Sequence, residues 1–300
     1  MKEYEVRYLD LENGERMAYR ECGSPENPPL ILIHGNQSSS VFFQDTMAEL
    51  EDEAHVLALD LIGFGDSSYN RQLDTLQDFS QDIALFMKQK GIENAVILGW
   101  STGGGIILEL AADHPELAGR LILLDSVGTQ GYPLYQVDAD NKPVLSQRIS
   151  KREDVEKEPL QVVPVQKALE AGDKAFIKSA FDLLLYNLNP LDPEDYDKCL
   201  DAILKERCIL DVDTALACFN MSNEYNGTVE GSGRLDLIQC PVTVLHGQKD
   251  LIVPVTEAEK TAVRLNGLAD MVLLENAGHA LLTDRPKAFV NVLRAALAEL

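Results

Sequence analysis

Ser101 is marked out by its neighbours. It lies in Gly99-Trp100-Ser101-Thr102-Gly103, a G-x-S-x-G pentapeptide with two more glycines behind it. Val96, Ile97 and Leu98 before it form an aliphatic run that reads as a buried parallel strand, and Ile106 to Ala112 after it suits a helix. A sharp strand-to-helix turn of this kind pushes a serine out at the strand's carboxyl end. The next amides then face an incoming oxyanion at a helix N-terminus. Gly99 and Gly103 keep the neighbouring backbone clear at such a turn. The plainer alternative is a tight turn whose serine only caps the helix. As a nucleophile, Ser101 needs a base to take its proton, because a hydroxyl is weak near neutral pH. His279 follows the strand-like run Met271–Leu274, and Asp250 follows Val242–Leu245. His279 would take the proton, and Asp250 would hold the imidazole by its second nitrogen and favour the imidazolium. Asp125, at the end of the preceding strand, is a second candidate acid. His34, His55, His114 and His246 sit at strand or helix ends and read as structural or solvated. Trp100 reads equally as core packing or as pocket wall.

The elements that would position these groups follow in order. Tyr4–Asp10 and Arg16–Cys22 alternate polar and apolar residues around Asn13-Gly14, a hairpin signal. Leu30–Ile33 and His55–Leu59 read as buried strands ending at His34-Gly35 and Asp60. Val41–Leu50 can be helical, and a Thr75–Asp78 pair starts a helix that Gly91 stops. After the serine segment comes a strand at Arg120–Leu124, and the strand–helix rhythm then breaks. Residues 128–233 begin with a polar, Pro-containing stretch, Gln130–Pro159. They continue as helical segments at Val165–Ala171, Asp173–Tyr186, Pro193–Lys205 and Asp211–Met221, and end in a loop, Asn223–Gly233. The rhythm resumes with Pro241–Leu245, a helix opened by a Thr256–Glu259 capping box, Met271–Leu274, and a last helix with Pro286 at its first position. The expected fold is three-layer α/β with a mostly parallel sheet. Core residues 1–127 and 234–300 would carry residues 128–233 as a helical cap inserted after strand six. Ligands bind at the carboxyl ends of the strands in such sheets.

Bulk properties narrow the partners. With 45% hydrophobic and 25% charged residues, the 300-residue chain has the composition of an ordinary globular protein. Its formal charge of −23 argues against nucleic acid and anionic membranes, and an anionic substrate would approach against the field. No secretory h-region and no apolar run of bilayer length are apparent, so a cytoplasmic location is the expectation. The five cysteines, Cys22, Cys199, Cys208, Cys218 and Cys240, are scattered and suit a reducing compartment. The histidines lack paired metal spacing, and Gly63-Phe64-Gly65 is not a dinucleotide fingerprint. No cofactor and no metal are implied.

Five motifs together carry a family resemblance: HGNQSSS at 34–40, DLIGFGDSS at 60–68, GWSTGG at 99–104, GQKDLIVP at 247–254 and AGHALLTDRP at 277–286. In this order and at these strand ends they resemble the α/β-hydrolase fold superfamily, specifically serine hydrolases with a helical cap. The resemblance implies the order Ser, acid, His, met here by Ser101, Asp250 and His279; in some relatives the acid instead follows the earlier strand, at the position of Asp125. It also implies an oxyanion hole from the backbone N–H groups of Asn36 and Thr102. Haloalkane dehalogenases and epoxide hydrolases of this fold use Asp where this chain has Ser101. The motif set is similar to enol-lactonases and carboxylesterases, and the Gly-Trp-Ser box to intracellular poly(3-hydroxybutyrate) depolymerases. The implied activity is hydrolysis of a small acyl ester, lactone or short oligoester through an acyl-enzyme. Carbon–carbon bond hydrolysis, or a ligand receptor or signalling role with little turnover, are the alternatives. Acyl preference, leaving group and oligomeric state are not written in these motifs.

Overall fold

In a computed structural model covering residues 1–300, alternate residues of each central strand feed separate cores. The sheet holds eight strands in the order β1 (Arg7–Asp10), β2 (Arg16–Cys22), β4 (His55–Leu59), β3 (Pro29–Ile33), β5 (Ala95–Trp100), β6 (Ala118–Leu124), β9 (Val242–Gly247) and β10 (Ala269–Leu274). The β1–β2 and β2–β4 pairs are antiparallel, and every other pair is parallel. In β3, Ile31 and Ile33 pack into one core with Phe79 and Ile107, while Leu30 and Leu32 join another with Phe43 and Phe289. A strand buried on both faces therefore reads as an unbroken apolar run, with period two hidden inside it.

The helices that cover those faces are α1 (Gln44–Leu50), α2 (Leu76–Lys90) and α3 (Thr102–Asp113), with α9 (Val255–Arg264), α10 (Leu281–Asp284) and α11 (Pro286–Leu297) later in the chain. The Thr75–Asp78 capping box is formed, and Gly91 ends α2 in the left-handed region at φ +67°. The Thr256–Glu259 box is not formed. Pro254, fixed at φ −59° and ψ 141°, is the N-cap, so α9 starts at Val255 and Thr256 is already inside it. The segment Val41–Leu50 is also less regular than its pattern implies, with a tight turn at Ser40–Phe43 preceding α1.

Residues 128–233 lie between β6 and β9. They contain α4 (Arg152–Val155), α5 (Val162–Ala171), α6 (Lys174–Leu184), α7 (Pro193–Ile203) and α8 (Ile209–Cys218). The segment is not wholly helical: β7 (Leu134–Val137) and β8 (Pro143–Ile149) pair antiparallel within the stretch expected to be irregular. Most of this hairpin is exposed, and its burial falls at Leu134 and Ile149, against Val155, Val162 and Ala217. With so few buried positions, its polar sequence carries no clear alternation. The insertion is tied to the loop after β4, where Lys205 pairs with Asp66 at 2.7 Å and the Arg207 N–H donates to the Gly63 carbonyl at 2.8 Å.

Candidate active site

Ser101 occupies the junction of β5 and α3 with φ +55° and ψ −118°, a backbone conformation that costs a non-glycine residue energy. Close packing enforces it. A Cβ on Gly103 would lie 2.6 Å from both the Ile33 and His34 carbonyl oxygens, and one on Gly99 would run into the Gly103 backbone. Only hydrogen fits at these two positions, so β5, α3 and the end of β3 can close on one another. The strained serine projects into a cavity of about 440 Å³.

His279 and Asp250 reach the same place from the loops after β10 and β9. His279 Nδ1–H donates to Asp250 Oδ2 at 2.7 Å, and His279 lines the cavity with Ser101. No hydrogen bond joins Ser101 Oγ to the imidazole, a contact that commonly tightens only as the reaction proceeds. The other Asp250 oxygen accepts the N–H groups of Ile252 and Val253 at 2.7 and 2.9 Å. Burial works to raise this carboxyl, but the charge and hydrogen bond of His279 more than offset it and hold it below the ordinary carboxylate range. The His279 loop is braced by Asp284, whose carboxylate accepts the Gly278 N–H at 2.7 Å and the Asn189 side chain at 2.8 Å.

Asp125 is placed differently. Its Oδ1 accepts the Gly247 N–H at 2.8 Å, tying the ends of β6 and β9, and it makes no hydrogen bond to His279. Full burial, and then the nearby Asp250 charge, push its carboxyl well above the ordinary range, so it is poorly suited to balance an imidazolium. Asp125, His246 and Asp250 converge within 4.8 Å of one another. Of the atoms there, Asp250 Oδ2 is engaged by His279 and His246 Nε2–H by the Val253 carbonyl at 3.0 Å. Burial lowers the His246 pKa, which keeps that ring neutral between the two acids.

The amides assigned to the oxyanion flank Ser101. Thr102 is the first residue of α3, so its N–H is one of those with no acceptor within the helix. The Asn36 N–H donates to no protein group. Both residues line the cavity. The loop carrying Asn36 is held by His34, whose Nδ1–H donates to the Gly35 carbonyl at 2.7 Å while Nε2 accepts the Leu61 N–H at 3.1 Å. Trp100 combines its two readings. It is only 3% exposed, its indole N–H donates to the His279 carbonyl at 2.9 Å, and it lines the cavity.

The family model described as the alpha/beta hydrolase fold matches residues 28–286. This chain belongs to the α/β-hydrolase family. It is a hydrolase of that family whose cavity holds a serine, an imidazole paired to a carboxylate, and two amides. The chain is similar to an uncharacterized protein of Mycobacterium tuberculosis, 26% identical over 289 residues, which span 94% of this chain and 78% of the relative. It is also similar to Lipase 1 of Psychrobacter immobilis, 25% identical over 305 residues covering 97% and 86%. Among solved structures, the enol-lactonase from Burkholderia xenovorans LB400 superposes with a TM-score of 0.75 at 19% identity, covering 97% of this chain and all of the other, a likeness of fold. No helix is long and apolar enough to cross a membrane.

The sequence did not single out which residues between β6 and β9 reach this cavity. Of 25 lining residues 15 are hydrophobic, and many come from the segment between β6 and β9, including Tyr132, Leu134, Phe181 and Leu216. Asp213, on α8, is the carboxylate the sequence reading passed over. The signal available was an acid embedded in Ile209-Leu-Asp-Val-Asp-Thr-Ala-Leu-Ala, where Asp211 and Asp213 interrupt an otherwise apolar helix.

Proposed function

We propose that this protein hydrolyses carboxylic esters through a Ser101 acyl-enzyme. The observation that supports it best is the meeting of the strained Ser101 and the His279–Asp250 pair at one largely apolar cavity. In this reading His279 Nε2 takes the Ser101 proton as Oγ attacks the acyl carbon. The Asn36 and Thr102 amides stabilise the tetrahedral oxyanion, each contributing about 3–4 kcal/mol at such sites. The imidazolium, balanced by Asp250, then protonates the leaving alcohol, and water repeats the sequence to release the acid. A relative named as a lipase and a fold neighbour named as an enol-lactonase are in keeping with acyl-oxygen chemistry. Asp250, rather than Asp125, is the acid of the triad, and residues 128–233 act as the lid that shapes the acyl site.

The test is multiple-turnover hydrolysis of a panel of short alkyl esters, lactones and matched amides by the purified protein. Sustained turnover of esters or lactones above amides is the expected result. A single turnover with every substrate would instead favour a ligand receptor and would contradict the proposal.

A further inference from the structure

Inside the cavity, one carboxylate outside the triad has an oxygen with no protein partner. Asp213 Oδ1 accepts a hydrogen bond from the Asn36 side-chain amide at 3.0 Å, while Oδ2 is bonded to nothing in the protein and is not sealed from the cavity it lines. No lysine or arginine lines that cavity. Because Asn36 also supplies an oxyanion amide in the reading above, Asp213 stands close to where the reacting carbonyl would sit.

Resting on the ester-hydrolase reading, we propose that Asp213 is the specificity-determining residue of this cavity, its Oδ2 accepting a hydrogen bond from a hydroxyl of the substrate. Hydroxy-substituted esters are thereby selected over shape-matched esters in which a methyl replaces the hydroxyl. A cavity built to bond a hydroxyl leaves a buried polar group unpaired when the analogue lacks it, which is a strong basis for discrimination. Burial raises the Asp213 carboxyl to about 7, against the lowering effect of the Asn36 hydrogen bond and with Glu158 adding to the rise. Glu158, from the turn before α5, and Glu206, from the turn after α7, are the charged groups nearest it, Tyr132 lies between its charge and that of Asp250, and His279 lines the same cavity. A carboxyl this close to neutrality can accept from a hydroxyl or donate to one. An ammonium ion would require the charged form and its own desolvation, and a carboxylate ligand would meet only acids.

The experiment compares kcat/KM within two pairs of substrates: ethyl 3-hydroxybutanoate with ethyl 3-methylbutanoate, and 2-hydroxyethyl butanoate with propyl butanoate. Wild type should favour the hydroxyl member of at least one pair by about tenfold or more, the range of a hydrogen bond to a charged group. Asp213→Leu should bring that ratio near one, and Asp213→Asn, which keeps one carbonyl oxygen for two donors, should give an intermediate value. Because each ratio is taken within one protein preparation, loss of folded enzyme cancels. The wild-type ratio should also rise as pH passes about 7 and the carboxylate becomes the stronger acceptor, a rise absent from Asp213→Asn. A wild-type ratio near or below one in both pairs, or a preference untouched by both substitutions, would overturn the proposal. So would a stronger selection for 2-(dimethylamino)ethyl butanoate that Asp213→Leu abolishes. If wild type turned over none of these esters, the ester-hydrolase reading itself would fall, an outcome separate from loss of the hydroxyl preference alone.

Discussion

At the scale of single residues, the two buried acids near the imidazole divide the work by environment. Asp250 is kept ionised by His279 and two backbone amides, whereas Asp125, sealed at 0% exposure beside it, is driven toward its neutral form. Asp250→Asn would present an amide N–H to His279 and favour the wrong tautomer, so kcat for a short ester should fall by roughly 10³–10⁴-fold. A pH–rate profile and a thermal melt would separate this loss from unfolding. Asp125 has the opposite signature. Its folded pKa lies above its unfolded value, so the folded state binds more protons and stability declines as pH rises from the ordinary carboxylate range toward the folded pKa. Asp125→Asn retains an acceptor for the Gly247 N–H and removes that penalty. The variant should be more stable than wild type at neutral pH, with the gap closing as pH falls toward about 4. Urea unfolding at several pH values measures it, and a constant or reversed gap would contradict the assignment.

At the scale of elements, the site exists because strand ends converge and glycines let them do so. Gly103→Ala would drive a methyl into the Ile33 and His34 carbonyls, so the strand–helix turn and the loop carrying Asn36 must separate. The expected cost is about 1–3 kcal/mol of stability, with a loss of kcat greater than the unfolded fraction explains. Differential scanning calorimetry beside active-site titration distinguishes the two effects. The same elements show what could be read in advance. Ser101, Asp250 and His279 were legible as candidates because each follows a strand with its own apolar run, a signal confined to a few adjacent residues. The hairpin β7–β8 was not legible, since it buries little more than Leu134 and Ile149 and so leaves no alternation in its sequence. The start of α9 was misplaced because Thr256 and Glu259 have capping chemistry while Pro254 sets the N-cap two residues earlier. Asp213 was passed over for a different reason. Its meaning depends on a contact with Asn36, 177 residues away in the chain, which helix periodicity alone does not encode.

At the scale of the whole molecule, the charge of −23 surrounds a cavity that has no lysine or arginine in its wall. Long-range repulsion should slow the approach of anionic esters more than neutral ones, and added salt screens it. For a monoanionic ester such as monoethyl succinate, kcat/KM should therefore rise with sodium chloride concentration, while that of a neutral ester of similar size stays nearly flat. Parallel salt dependence for the two would remove electrostatic exclusion from the description. The broadest claim, that chemistry passes through one serine, is tested most directly by hydrolysis of p-nitrophenyl butanoate by Ser101→Ala beside wild type, with circular dichroism melts showing both to be folded. Activity of the variant lower by at least about a thousandfold is expected, as for removal of a nucleophile. Turnover within about tenfold of wild type, from a protein with an unchanged melt, would contradict the assignment of Ser101 as the catalytic nucleophile.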